Sequence, residues 1–264
     1  MSGQHYVTLS RRGPVATVTL DRPEVHNAFN EEVIAQLKSR FDELSNDEAT
    51  RIVVIRSEGR SFSAGADLDW MRRMADASGE ENRQDALALA AMLRTIAECS
   101  RPVVARVQGA AFGGGAGLVA ASDVGIAAES AMFGFTEVRL GLVPATIAPH
   151  VVEKIGPGRA LSLFLTGERF DAKRALEIGL VHQVAPDAEF DSTVDGVVEM
   201  LLQGGPSAQS ACKQLVRHVA SAERASVDGY TAALIASIRS GDEGREGVGA
   251  FLDKRKPGWV ASDG

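Results

Sequence analysis

Short apolar runs alternate with amphipathic stretches through the first half of the chain. Val15–Leu20 alternates small and apolar side chains and runs into Asp21-Arg22-Pro23, which predicts a strand closed by a turn. Asn30 then precedes Glu31, Glu32, Val33, Ile34 and Leu37. An N-cap asparagine, acids in the first turn and apolar residues at helical spacing predict a helix start. Residues 52–56 predict a short buried strand, and residues 85–99 predict a helix carrying Leu87, Leu89, Met92, Leu93 and Ile96. Pro102 opens a strand over Val103–Val107, and residues 124–127 predict another. This alternation indicates an α/β fold with parallel pairings. Beyond about residue 140 the pattern turns helical. Residues 144–155, 159–165 and Ala172–Ile178 predict short helices between Gly and Pro breaks. Two longer amphipathic stretches follow from Pro206, then residues 246–255. No internal repeat and no low-complexity linker stands out. The division expected is an α/β core over residues 1–195 and a helical C-terminal region over residues 196–264, packed on its own core or on a neighbouring subunit.

Composition narrows the partners. With 45% hydrophobic and 24% charged residues in 264, the chain has ample material for a core. Only 5% is aromatic and the net charge is −7, which argues against a nucleic-acid partner and leaves room for a small phosphorylated ligand met by a local basic patch. The two cysteines, Cys99 and Cys212, have no metal-like spacing and fit a reducing, cytoplasmic setting. The five histidines form no metal-ligand pattern, so no metal is expected. Met1-Ser2-Gly3-Gln4-His5 carries no basic-then-apolar leader pattern, and the apolar runs are too short to span a membrane.

Two segments carry the chemistry. Ser61-Phe62-Ser63-Ala64-Gly65-Ala66-Asp67-Leu68 and Gln108-Gly109-Ala110-Ala111-Phe112-Gly113-Gly114-Gly115-Ala116-Gly117-Leu118 each follow a strand-like run. Both are too rich in Gly, Ala and Ser to pack large side chains, so another molecule can approach their main-chain N–H groups. Two converging N–H donors are the usual device for holding a negatively charged oxygen. Gly114, at the start of a predicted helix over residues 116–121, and Ala66, after Gly65, are the candidate donors. A glycine triplet taken alone is as well explained by tight packing.

The chain resembles the enoyl-CoA hydratase/isomerase, or crotonase, superfamily. The resemblance rests on Asp21-Arg22-Pro23 with Asn27-Ala28-Phe29, on the two segments above, and on Phe133-Gly134-Phe135-Thr136-Glu137 with Leu140-Gly141-Leu142-Val143-Pro144. It extends through Thr166-Gly167-Glu168-Arg169-Phe170, residues 175–181 and Phe251-Leu252-Asp253-Lys254-Arg255. It implies a crotonase-like spiral of ββα turns over the core and a helical C-terminal trimerisation region, assembled as a homotrimer or a dimer of trimers. It implies an acyl-CoA substrate whose thioester oxygen sits between the Ala66 and Gly114 N–H groups, with coenzyme A arriving as part of the substrate and no separate cofactor. Ala64, Gly65, Asp67, Leu68 and Gly113 match its substrate-binding positions. Phe251 and Lys254 match positions that contact coenzyme A, often from an adjacent subunit.

One departure matters. Hydratases of this family usually carry two glutamates, and two carboxylates in opposed protonation states can activate a water and deliver a proton. Glu137 matches the second; the first falls at Gly117. Gly117 lies one helical turn beyond Gly114, so it is expected to face the site and to leave space there. Three functions follow from the resemblance. The first is hydration of a short or branched 2-enoyl-CoA, with the stretches at residues 136–149 and 64–71 resembling methylglutaconyl-CoA and isohexenylglutaconyl-CoA hydratases. The second is isomerisation by Glu137 alone, and the third is a non-catalytic CoA-binding or assembly role. Asp67, Asp69, Arg139 and His150 are possible replacements for the missing acid, though each also reads as a helix cap or a surface group.

Overall fold

The computed structural model describes residues 5–260. The leader reading therefore falls, except for His5, outside the described residues, as do residues 261–264 of the C-terminal region.

Six strands form the larger sheet: β1 (Val7–Arg12), β2 (Val15–Leu20), β3 (Ile52–Ser57), β4 (Val103–Val107), β6 (Val124–Ala128) and β9 (Gln183–Ala185), in the order β1-β2-β3-β4-β6-β9. The β1/β2 hairpin is antiparallel and every later pairing is parallel. A smaller sheet sets β5 (Ala110–Phe112) parallel to β7 (Met132–Gly134), which pairs antiparallel with β8 (Arg169–Asp171).

β3 reads as a continuous apolar run because both faces of the sheet are covered. Val53 and Ile55 point to a core shared with α1 (Glu31–Asn46) and α3 (Gly79–Ala97). Ile52 and Val54 point the other way, against Phe190, Val194, Val197 and Val198 of α8 (Phe190–Leu202). The first core continues between the two sheets, where Phe133 stacks on Phe170 and Phe135 meets Phe164 edge-on. α4 (Gly114–Ala121) lies inside this layer with every residue from Gly115 onward buried, which is why its sequence is apolar all round.

The spiral is visible as a repeated path. β4 leads to β5 and α4; β6 leads to β7 and then to α5 (Ala148–Ile155) and α6 (Pro157–Thr166). β3 leads to a single bridge between Ser63 and Ala111 at the edge of the small sheet, then to α2 (Leu68–Asp76) and α3. Each turn thus adds to the large sheet, then to the small one, then crosses by helix.

Asn30 caps α1 by accepting from the Val33 N–H at 2.9 Å, as expected. Three predicted helix starts shift by four residues or more. α3 begins at Gly79, not at 85, because Ser78 and Glu81 form a reciprocal capping box. α5 begins at Ala148, not at 144, because residues 141–147 wrap over the site. The last helix, α11 (Asp242–Leu252), begins four residues earlier than 246. α7 (Ala172–Ile178) has the predicted span. α9 (Pro206–Ser221) and α10 (Arg224–Ser240) are the two long amphipathic stretches. The expected division after residue 195 falls inside α8, which belongs to the sheet; the next break is at residues 203–205.

Candidate active site

The two glycine-rich segments meet. Ser63 N–H donates to the Ala110 carbonyl at 2.9 Å, and Phe112 N–H donates to the Ser63 carbonyl at 3.0 Å. Asn27 and Phe29 hold the first segment from behind. Asn27 Nδ2 donates to the carbonyls of Glu58 and Ser61, both at 2.8 Å. Phe29 N–H donates to the Gly65 carbonyl at 2.7 Å, and Asp67 N–H returns to the Phe29 carbonyl at 2.9 Å. In consequence Ser63, Gly65 and Asp67 turn inward while Ala64, Ala66 and Leu68 turn outward, the alternation of an extended chain.

The glycines of the second segment answer to close neighbours. A Cβ on Gly114 would lie 3.1 Å from the Phe29 ring, and one on Gly115 would lie 2.6 Å from the Ser63 carbonyl oxygen. Gly113 holds φ +49 as the N-cap of α4, a region that favours glycine. Among the described residues, no protein acceptor is bonded to the Ala66 or Gly114 N–H. The Gly114 amide also carries the positive end of the α4 dipole.

These amides open on a cavity of about 770 Å³. Ala64, Gly65, Ala66, Leu68, Gly113, Gly114 and Glu137 line it. Glu137 begins a 3-10 turn ending at Leu140, and its Oε1 lies 3.1 Å from where a Cβ on Gly113 would sit. Its Oε2 is buried without a hydrogen-bond partner. Burial pushes the Glu137 carboxyl above the usual carboxylate range, against a weaker opposing bond from its own backbone N–H. A desolvated carboxylate beside two free amides has the makings of an acid–base group next to an oxyanion site.

Four expected site residues lie elsewhere. Gly117 does not line the cavity. A Cβ there would run into the side chain of Ile147, 2.8 Å from its Cβ, so the space expected above Gly117 is filled. Asp67 is turned inward, where its Oδ1 accepts from the Asp69 and Trp70 N–H groups and caps α2. Its Oδ2 pairs with Arg22 at 3.1 Å. Burial opposes its charge, but these bonds outweigh the burial and hold the carboxyl below its usual range. Phe251, at the end of α11, is 82% exposed, and neither it nor Lys254 lines the cavity of its own chain. Of the neighbouring basic residues, Arg255 is taken up by Glu246 at 2.7 and 2.8 Å.

The possible replacement acids fare no better. Asp69 pairs with Arg72, Arg139 is exposed, and His150 lines a separate cavity of about 400 Å³ between α4, α5 and α9. The sequence reading missed Asp85, which does line this cavity. Trp70 Nε1 donates to its Oδ1 at 3.0 Å. Burial pushes the Asp85 carboxyl up against that bond, and the nearby Glu31 charge adds to the rise. The overlooked signal was an acid on an apolar stripe, since Asp85, Leu89, Met92 and Ile96 share one face of α3.

The chain as a whole has clear relatives. A family model described as enoyl-CoA hydratase/isomerase matches residues 10–262. The chain belongs to that family. It is similar to a trans-2-decenoyl-[acyl-carrier-protein] isomerase of Streptococcus mutans, 31% identical over 92% of this chain and 93% of the other. It is also similar to a short-chain-enoyl-CoA hydratase of Clostridium acetobutylicum, 29% identical over 95% of each. Among solved structures, an enoyl-CoA hydratase from Shewanella pealeana superposes with a TM-score of 0.93 at 38% identity, covering 97% of this chain and 96% of that one. The fold is the crotonase α/β fold, and the chain is an enzyme of the enoyl-CoA hydratase/isomerase family. No helix among the described residues is long and apolar enough to cross a membrane.

Proposed function

We propose that this enzyme hydrates a short or branched 2-enoyl-CoA, with Glu137 as its proton-transfer group. The thioester oxygen lies between the Ala66 and Gly114 N–H groups. Water oxygen bonds to C3 as Glu137 takes its proton, and the C2=C3 electrons move onto the thioester oxygen as an enolate. Glu137 then returns the proton to C2 and the thioester carbonyl re-forms. Each oxyanion donor is worth about 3–4 kcal/mol of barrier. The observation that carries this reading is the buried, unpartnered Glu137 Oε2 beside two free amides.

Isomerisation is the second reading, favoured by the Ile147 side chain over Gly117, which leaves one motif carboxylate. The same Glu137 would move a proton between C2 and C4 through a dienolate whose oxygen is held by the same two N–H groups. Incubation with 2-enoyl-CoA and 3-enoyl-CoA in heavy-oxygen water separates the two: hydration adds the label and isomerisation leaves the mass unchanged. A protein that binds acyl-CoA and turns over neither would leave only the non-catalytic role. The methylglutaconyl-type substrate rested on motif resemblance and on room at Gly117; with that room filled, its support is the motif alone. A homotrimer or dimer of trimers agrees with the exposed apolar residues of α9 to α11, among them Val216, Ile235 and Phe251. Unpaired Cys99 and Cys212 agree with a cytoplasmic setting.

A further inference from the structure

The acyl cavity holds a second carboxylate that the hydration step does not use. Asp85 projects from α3 beside Leu89 into walls that also include Met71, Met74 and Leu142. Trp70, itself buried, fixes Asp85 through a single bond to Oδ1. Among the described residues no other hydrogen bond reaches Asp85, and no Lys, Arg or His lines the cavity. Arg73 is engaged by Glu31 at 2.6 and 2.7 Å. An acyl chain entering this cavity therefore meets largely apolar walls, the neutral polar side chains of Asn82, Thr136 and Thr146, and, besides Glu137, one carboxylate, which Trp70 fixes in place.

We infer that Asp85 is a specificity-determining residue: it accepts a hydrogen bond from a hydroxyl on the acyl chain and rejects acyl chains that end in a free carboxylate. Asp85 is half-buried, and an acceptor partly shielded from water favours a ligand that brings a donor over one that covers it without a partner. A carboxylated chain would bring a like charge into a partly dry cavity with no lining cation to offset it. This inference rests on the reading of the cavity as the acyl site, and it opposes the carboxylated branch that the motif resemblance implied.

The test reads binding and turnover separately. Saturated acyl-CoAs matched in length and ending in methyl, hydroxymethyl or carboxyl are titrated calorimetrically into the wild type, Asp85→Asn and Asp85→Leu. Asparagine keeps an acceptor for Trp70 and removes the charge; leucine removes both. The wild type is expected to bind the carboxyl-ended ligand about tenfold or more weakly than the methyl-ended one. Asp85→Asn should shrink that ratio to within about threefold. Asp85→Leu should abolish any preference for hydroxymethyl over methyl. Ratios unchanged in both folded variants, or a wild type that prefers the carboxyl end, would overturn the inference and leave Asp85 as an anchor for Trp70 alone. Turnover of the matching 2-enoyl-CoAs tests the proposed reaction independently, because the binding ratios do not depend on it.

Discussion

The oxyanion region and the C-terminal helices are built on opposite principles. Around Ser63 and Gly115 the chain closes on itself until a methyl group no longer fits, and the central strands β3 and β4 are buried at every position but one each. In α9 no residue is buried, and α10 and α11 bury one each, Val227 and Ala250. Those helices are tied down mainly by polar links. Arg51 donates to the Trp259 carbonyl at 2.6 Å, Lys213 to the Arg101 carbonyl at 3.0 Å, and Glu243 caps α9 through the Ser207 and Ala208 N–H groups. Apolar residues such as Leu252, 71% exposed, are left uncovered. One region is complete within a single chain; the other has apolar surface to spare.

The sharpest way to break this contrast is Gly109→Ala. Gly109 holds φ +59, and a Cβ there would overlap the Arg60 carbonyl. The variant should lose about 3–5 kcal/mol of stability, read by urea unfolding. A loss under 1 kcal/mol would mean that the segment yields more easily than its packing implies.

Glu137→Gln comes next. It should lower kcat by about two to four orders of magnitude while acyl-CoA binding changes little. Because burial raises the Glu137 carboxyl, the acid limb of kcat/KM should lie above the ordinary glutamate value and should vanish in the variant. The sign for stability runs the other way from a paired carboxylate. The native state holds this proton more tightly than the unfolded chain does. That stability is present below the unfolded value and is lost as pH rises through the folded one. Glu137→Gln should therefore be at least as stable as the wild type at neutral pH, measured by thermal melting.

Gly117→Ala should cost about 1–3 kcal/mol through overpacking against Ile147. Ile147→Ala, which removes the Cγ2 that a Gly117 Cβ would strike, should cost less in the Gly117→Ala chain than in the wild type. Additive losses in the double variant would show that the two side chains do not compete for one space.

The smallest effect on folding belongs to the C-terminal helices. Phe251→Ala should change unfolding free energy within about 0.5 kcal/mol. If α11 serves a neighbour, the same variant should raise KM for acyl-CoA and shift sedimentation toward the 27.9 kDa chain on dilution. An unaltered KM and assembly would confine Phe251 to an idle surface.

These two regions also differed in how far the sequence could be read. Strands such as Val103–Val107 and caps such as Asn30 were legible because their signals are local. The repeated ββα path was legible only through the family resemblance and not through local pattern, because its second strands are three residues or a single bridge, too short to leave a period of two. Gly117 was misread because what fills the space above it is Ile147, thirty positions on, and nothing near Gly117 announces that contact. Asp85 was passed over as one acid among helix residues, since its place in the cavity depends on Trp70 and on Leu142, which only folding brings beside it. The Ala66 and Gly114 segments were legible as a pair because glycine and alanine density is itself the sign of a close approach.

The bonds between Ser63 and residues 110–112 have a consequence for heat and hydrogen exchange. They join the loop bearing Ala66 to the strand that leads into Gly114, so the two proposed oxyanion donors belong to one cooperative unit with the buried sheet. The pair keeps its spacing for as long as the sheet persists. Warming should leave the oxyanion geometry intact up to the global transition, and the last amides to exchange should include those of Ser63 and Phe112. The part of the site free to loosen earlier is the wall carried by α2, whose one buried residue is Trp70. Moderate heating should accordingly blur discrimination between acyl chains before it stops the chemistry.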